Sequence, residues 1–301
     1  MNKIGPITGT FIDEITYNIP SANWSFDQWR KDLDYMQEIG IDTIIFIRGG
    51  FEDQCVFPSK VLNTPYSDDL AGLIFEETSK RGMKVYFGLY ISNLNWNDGD
   101  VAGEVRINKL FIDEVLERYG HYPSFEGWYI PHEFCKDAKG TLNFGDILRD
   151  LPRLCKDKTP DKKVLVSPFF CSHFVSKTPL TPDEHYEEWD RMLSVSEKEI
   201  DICAFQDGTA PMNMMSDYFS KTKEFCRKYN IEHWVNAETF HRDVKASGSP
   251  IPFNILKRRL EMHKEYADKI ITFEFSHFLS PQSMYPSARN LSDRYKEYYL
   301  K

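Results

Sequence analysis

Residues 25–50 read SFDQWRKDLDYMQEIGIDTIIFIRGG, and this stretch contains one complete unit of the pattern that decides the fold. Ser25, with Gln28 three positions later, predicts a capped helix whose apolar residues recur at helical spacing. Gly40 supplies the left-handed residue that commonly ends a helix. The continuous apolar run that follows is typical of a parallel strand buried on both faces, and it ends at Arg48.

The same alternation of strand and helix recurs eight times. Short segments rich in Ile, Val, Phe and Tyr predict strands at Ile7–Ile15, Thr43–Gly50, Lys84–Ile91, Phe125–Phe134, Lys163–Phe170, Asp201–Ala210, Glu232–Phe240 and Lys269–Phe278. Amphipathic stretches predict helices at Ser25–Ile39, Asp68–Arg81, Asp100–Tyr119, Asn143–Lys156, Pro182–Ser194, Asn213–Tyr229, Pro252–Ala267 and Ser287–Lys301. Eight such units predict a single (β/α)8 TIM barrel over residues 1–301, with a doubly wound open sheet as the runner-up. The open sheet usually carries a G-x-G-x-x-G turn after its first strand, and this sequence has none.

The composition excludes several classes of function. The 301 residues include 37 Lys and Arg against 46 Asp and Glu, a net charge of −9 that argues against binding nucleic acid or an anionic membrane. No apolar run reaches the roughly 18 residues of a spanning helix. The amino terminus has no hydrophobic signal core, so we expect a cytoplasmic location, or a periplasmic or exported one if a signal peptide has been removed. The six cysteines are scattered and are expected to be free thiols.

Polar residues concentrate where the predicted strands end. The active site of a barrel lies at the carboxyl ends of its strands, so these positions are the first candidates for chemistry. Two glutamates have a special place: Glu133 ends the fourth strand and Glu238 the seventh. Strand alternation puts Trp234, Asn236 and Glu238 on one face, which we expect to face the barrel interior.

A pair of carboxyl groups at these two strand ends suits the cleavage of a glycosidic bond. One carboxylic acid protonates the departing oxygen, while a carboxylate on the other side of the anomeric carbon attacks it. A separation of about 5–5.5 Å allows direct attack and retention of configuration. We therefore assign Glu133 as the acid/base and Glu238 as the nucleophile.

Other residues at the strand ends are candidates for substrate binding. Arg48 is a candidate partner that holds Glu238 ionised, with a structural ion pair as the alternative. Asp207 either binds sugar hydroxyls or caps the following helix. Glu274, placed inward by alternation, rivals Glu238 for the catalytic role. The remaining candidates contact or stack on sugars and are Tyr90, Trp96, His132, Gln206, Asn236 and His277.

With these residues in place, the chain resembles clan A of the glycoside hydrolases, retaining barrels with glutamates on strands four and seven. The resemblance implies a role for Arg48, because an arginine often ends strand two of that clan beneath the nucleophile. Two departures are visible. His132 occupies the place of the asparagine that usually precedes the acid/base, and the aromatic residue expected at the end of strand eight has only Phe275 and Phe278 as candidates.

Over residues 5–300 the chain is also similar to a bacterial barrel family, domain of unknown function 4434. The stretches that carry this resemblance are Gly9–Phe11, Gly127–Glu133, Phe205–Gly208 and Asn236–Glu238. It implies a glycosidase-like barrel acting on an oligo- or polysaccharide. We expect neither a metal nor a cofactor. The His-x-His of a binuclear metal hydrolase is absent from the sequence, and so is the G-x-S-x-G of a nucleophile elbow. The alternative is a non-catalytic barrel that binds carbohydrate.

Overall fold

A computed structural model describes residues 5–16, 20–92, 95, 98–136, 144–196, 199–243 and 246–301. Eight parallel strands close into a barrel, as the sequence predicts. They are β1 (Ile7–Ile12), β2 (Thr43–Phe46), β3 (Lys84–Gly88), β4 (Phe125–Ile130), β5 (Lys163–Val166), β6 (Ile202–Gln206), β7 (Glu232–Asn236) and β8 (Lys269–Thr272). Each strand pairs with its neighbours in sequence, and β1 closes the barrel by pairing with both β2 and β8.

Helices connect the strands on the outside of the barrel. They are α1 (Phe26–Ile39), α2 (Leu70–Arg81), α3 (Val101–Tyr119), α4 (Phe144–Lys158), α5 (Pro182–Leu193), α6 (Met215–Tyr229) and α7 (Phe253–His263), followed after β8 by the short α8 (Phe275–Phe278) and by α9 (Pro286–Tyr299). No helix in the described ranges is long and apolar enough to span a bilayer. The six cysteines are free.

Helix ends follow the predicted caps with one exception. Ser25 and Gln28 form a capping box at α1, and Gly40 ends it with a φ of 98°. Gly82 ends α2 in the same left-handed region, with a φ of 66°. Gly120 differs, because it continues α3 in the right-handed conformation with a φ of −59°.

The strands begin within one residue of their predicted starts, but all end earlier than predicted. The eighth segment shows this most clearly: β8 ends at Thr272, and Phe275–Phe278 forms a helix rather than the predicted end of a strand. The predicted segments ran on because their apolar residues continue past the strands. Phe275, for example, is fully buried although it lies outside the barrel sheet.

Two apolar cores lie on the two sides of the barrel wall. The inner one fills the barrel and contains Phe11, Ile45, Ile47, Tyr86, Tyr129, Leu165, Ile202, Ala204, Trp234 and Ile271. The outer one lies between strands and helices and includes Val235 and Ala237. The alternation predicted for β7 is therefore confirmed: Trp234 points inward and its neighbour Val235 points toward the helices.

Candidate functional site

A cavity of about 320 Å³ opens at the carboxyl ends of the strands, above the inner core. Loops after six of the eight strands contribute to its wall. The residues that line it are Phe11, Asp13, Thr16, Ile47, Arg48, Tyr129, Glu133, Phe169, Gln206, Asn236, Glu238, Phe240 and Phe273. Both predicted catalytic glutamates thus face one space, together with Arg48, Gln206 and Asn236.

Glu133 follows β4 and is partly exposed at the cavity. Its Oε1 accepts a hydrogen bond of 2.8 Å from Nε2 of Gln206. The same nitrogen donates to the backbone oxygen of Ser167, also at 2.8 Å, so the amide is held at two points. Gln206 therefore orients the Glu133 carboxyl group, and we place it as a positioning residue.

Glu238 lies two residues beyond β7 and is only 1% exposed. Its backbone N–H donates to Oδ1 of Asp207 at 2.9 Å. Its carboxylate lies directly against Gly208: a Cβ atom added to that glycine would lie 1.7 Å from Oε2 of Glu238. Glycine at 208 is thus the residue that leaves room for this carboxylate.

Asp207 is fully buried and lies behind Glu238, outside the cavity wall. Its carboxylate also accepts from Nε2 of His263 at 2.8 Å and from Nη1 of Arg259 at 3.2 Å. Burial alone would raise the pKa of Asp207, but the Arg259 charge and the His263 hydrogen bond outweigh burial and lower it. Asp207 was predicted either to bind sugar hydroxyls or to cap the following helix. Its carboxylate does neither, because it accepts the hydrogen bond that fixes the backbone at Glu238.

Arg48 lines the cavity, but its hydrogen bond does not go to Glu238. Its Nη1 donates to Oγ1 of Thr16 at 3.2 Å, and its guanidinium lies 4.7 Å from the centre of the Phe51 ring. Thr16 in turn donates its side-chain hydroxyl to Asp13 at 2.6 Å and its backbone N–H at 3.1 Å. Asp13 is a third carboxyl group in the cavity wall and is only 4% exposed. It was not among the predicted site residues, although its position directly after β1 is one of the strand ends where such residues are expected.

Two buried polar atoms on residues of the cavity wall lack a hydrogen-bond partner within the described part of the chain. They are Nε of Arg48, a donor, and Oδ1 of Asn236, an acceptor. The other side-chain atom of Asn236, Nδ2, donates to Oγ of Ser167 at 3.2 Å. Unsatisfied buried polar groups are costly and rare unless something else satisfies them, so these two atoms are suited to a ligand with hydroxyl groups.

Aromatic rings form much of the remaining cavity wall. Phe273 comes directly after β8 and occupies the position for which Phe275 and Phe278 were the predicted candidates. It packs against Phe11 and Phe240 at centroid distances of 5.9 and 6.0 Å. The prediction missed Phe273 because it assumed that the strand continued to residue 278.

Besides Asp207, the predicted binding residues Glu274, His277 and His132 also lie outside the cavity wall. Glu274 and His277 are both buried and contact each other at the start of α8. The strand ends at Thr272, so the alternation that placed Glu274 inward does not extend to it. His132 instead pairs through Nε2 with the buried Glu104 of α3, at 3.0 Å.

The two predicted stacking aromatics give different outcomes. Tyr90 lies in a short strand, Tyr90–Ile91, where its hydroxyl donates to the backbone oxygen of Glu52 at 2.9 Å, and it does not line the cavity. Trp96 lies outside the described residues. Nor do the described residues contain a cluster of three or more side chains that could hold a metal ion.

Comparison with known proteins places the chain in a family context. The family described as a domain of unknown function, DUF4434, matches residues 7–285. A Bacteroides thetaiotaomicron protein of known structure, described as a candidate alpha-L-fucosidase, is 38% identical, with a TM-score of 0.91 over 100% of this chain and 95% of its own. A search of the curated proteins found no match.

More distant solved structures share the fold alone. The endo-1,4-beta-mannanase of Rhizomucor miehei is 12% identical, with a TM-score of 0.57 over 89% of this chain and 85% of its own. A GH5_18 protein from Streptomyces cattleya, solved with GlcNAc, is 13% identical, with a TM-score of 0.57 over 99% of this chain and 82% of its own.

Proposed function

The chain belongs to the DUF4434 family, and we propose that it is a retaining glycoside hydrolase that uses Glu133 and Glu238. The observation that carries the proposal is that both glutamates line one cavity at the carboxyl end of the barrel. They come from β4 and β7, which lie on different sides of the mouth, so a sugar between them would meet one carboxyl group from each side. The glycoside hydrolases among the structural neighbours have the same barrel fold.

In the first step Glu238 attacks the anomeric carbon while Glu133, as the acid, gives its proton to the departing oxygen. The glycosidic C–O bond breaks, and a glycosyl ester of Glu238 forms. In the second step Glu133, now a carboxylate, removes a proton from water, and the water oxygen displaces Glu238 from the anomeric carbon. Two displacements restore the original configuration, and both carboxyl groups return to their starting states.

The surroundings of the two glutamates support this division of roles. Glu133 is partly exposed, so it can meet both a leaving group and the incoming water, and Gln206 fixes its direction. Glu238 is nearly fully buried and its loop is anchored by Asp207. A nucleophile gains most from such a fixed position, because the reacting atoms must meet in one geometry.

Aryl glycosides test the proposal directly. We propose α-L-fucosides as the first substrates, because the 38% identical relative is described as a candidate alpha-L-fucosidase. The stereochemistry of the first-formed product, followed by proton NMR, distinguishes retention from inversion. Glu238→Ala should lose activity by orders of magnitude and recover part of it with azide, giving a glycosyl azide of inverted configuration.

Glu133→Ala serves as the complementary variant. With an activated leaving group it should still form the glycosyl ester, and azide should accelerate its breakdown to an azide of retained configuration. If the wild-type chain binds oligosaccharides but cleaves no glycoside, or if Glu238→Gln loses binding and activity equally, the protein is a carbohydrate-binding barrel instead.

A further inference from the structure

A second cavity, of about 330 Å³, lies at the same end of the barrel, beyond the ends of β1 and β2. This volume falls within the roughly 300–1,000 Å³ typical of small-molecule pockets. Its lining comes from the segment after β1, the start of α1, the loop after β2 and the approach to α2. The residues are Glu14, Ile15, Trp24, Phe26, Trp29, Asp53, Gln54, Cys55, Val56, Tyr66, Ser67, Asp68 and Leu70.

The two cavities are neighbours across one short segment of chain. Asp13 lines the first cavity and the next residue, Glu14, lines the second. The loop after β2 links them as well, since Arg48 of the first cavity lies over the ring of Phe51, and residues 53–56 continue into the second. The two cavities therefore lie side by side, with the Asp13–Glu14 segment and the loop after β2 between them.

Aromatic side chains are unusually exposed in this second cavity. Tyr66 is 75% exposed and Phe26 is 38% exposed, and they are two of only four exposed aromatic residues in the described part of the chain. Trp24, which is partly exposed, is held edge-on against Trp29 at 5.1 Å. Several exposed aromatic rings in one cavity indicate a ligand-binding surface rather than side chains that pack in the core.

The polar side chains of the second cavity include three acids, the amide of Gln54 and the hydroxyl groups of Tyr66 and Ser67. The acids are Glu14, Asp53 and Asp68, and the described residues that line this cavity include no lysine or arginine. Burial, together with the neighbouring Asp13 and Asp68, raises the pKa of Glu14 to about 9, so it is a neutral acid at pH 7. Its Oε2 is buried and has no hydrogen-bond partner within the described ranges.

We propose that the second cavity binds an uncharged sugar residue of an oligosaccharide whose scissile bond lies in the first cavity. This inference rests on the proposed function. The apolar face of a sugar ring stacks on Tyr66, Phe26 or Trp24, and its hydroxyls meet the carboxyl and amide groups. Uronic acids and sulfated sugars are disfavoured, because Asp53 and Asp68 repel an anion and the described lining residues include no lysine or arginine to offset that repulsion.

Binding to the full-length Glu238→Gln chain tests the inference without turnover. The probes are 2′-fucosyllactose, cellotriose and mannotriose as neutral oligosaccharides, with 6′-sialyllactose and trigalacturonic acid as acidic ones, each titrated by calorimetry. We expect at least one neutral probe to bind and the acidic probes not to bind. Adding Tyr66→Ala should weaken the neutral probe about 10-fold, the loss of one stacked ring.

Tyr298→Ala is the matched control, because Tyr298 is a 48% exposed tyrosine on α9 that lines neither cavity. Equal affinity with and without Tyr66→Ala, equal binding of acidic probes, or no binding of any neutral probe would overturn the inference. Hydrolysis of an aryl glycoside by the wild-type chain reports the proposed function separately. If the wild-type chain hydrolyses no aryl glycoside while its Tyr66-dependent binding is intact, that result counts against the proposed function alone.

Discussion

Gly208→Ala is the substitution that most directly tests how Glu238 is held. The methyl group of an alanine would lie 1.7 Å from Oε2 of Glu238 and 2.5 Å from its carboxyl carbon. The backbone of Gly208 is outside the left-handed region, so alanine meets no conformational strain there. The substitution therefore changes one thing, the space available to the carboxylate.

The size of the effect follows from the distance. An ordinary contact with a Cβ atom is 3.4–4 Å, so the 1.7 Å separation must double before alanine fits. Because a misplacement of about 1 Å in a reacting group costs roughly 100-fold in rate, we expect kcat to fall at least about 100-fold. Overpacking of a buried site also costs roughly 1–3 kcal/mol of unfolding free energy.

The assay combines kcat on an aryl glycoside with urea denaturation of four chains: wild type, Gly208→Ala, Glu238→Ala and the double variant. Glu238→Ala removes the carboxylate with which the added methyl group of Gly208→Ala would overlap. The destabilisation caused by Gly208→Ala should therefore largely disappear in the Glu238→Ala background, an interaction of about 1–3 kcal/mol.

Two results would refute this reasoning. Gly208→Ala with more than half the wild-type kcat would show that the Glu238 carboxylate does not rely on the space at Gly208. Equal destabilisation by Gly208→Ala in both backgrounds would show that the alanine strikes something other than Glu238.

Three further predictions concern buried ionisable groups. Asp207→Asn should lower the unfolding free energy by about 3 kcal/mol in urea denaturation and reduce kcat, since it leaves Arg259, whose side chain is only 12% exposed, without its anion. A loss under about 1 kcal/mol would contradict this. Glu14→Gln should stabilise the protein more at pH 9 than at pH 4.5, by up to about 6 kcal/mol, because the raised pKa of Glu14 makes wild-type stability fall as pH rises through that window. An unchanged difference across that pH range would refute it. Burial lowers the pKa of His185 to about 3 and that of His233 to about 4, so the unfolding free energy of the wild type should fall as pH drops below 6.5. His185→Gln should reduce this dependence of the unfolding free energy on pH by up to about 1.4 kcal/mol per pH unit. An unchanged pH dependence would contradict this prediction.

Short-range sequence patterns correctly predicted where the barrel strands begin and how the first helix is capped. The starts of the strands, the cap at Ser25 and the left-handed Gly40 each depend on residues within a few positions of one another. The inward direction of Trp234 and Asn236 follows from strand alternation alone. These features are local, so one sequence without relatives is enough to find them.

The ends of the strands were harder to predict. Apolar residues such as Phe240 and Phe273 continue past the sheet because they build the wall of the cavity, and composition cannot separate that use from a strand. Glu274 shows the consequence, since alternation stops where the strand stops. Its side chain turns to His277 of α8 instead of into the barrel.

The sequence by itself therefore determined the eight-unit barrel and the two strand ends that carry Glu133 and Glu238. Only the tertiary structure decided which neighbours hold them. Asp207 meets residues 52 and 56 positions further along the chain, and Gln206 meets Glu133 across 73 positions. Contacts of that kind depend on barrel closure and on the rotamers that fit between packed elements, and no local periodicity encodes either.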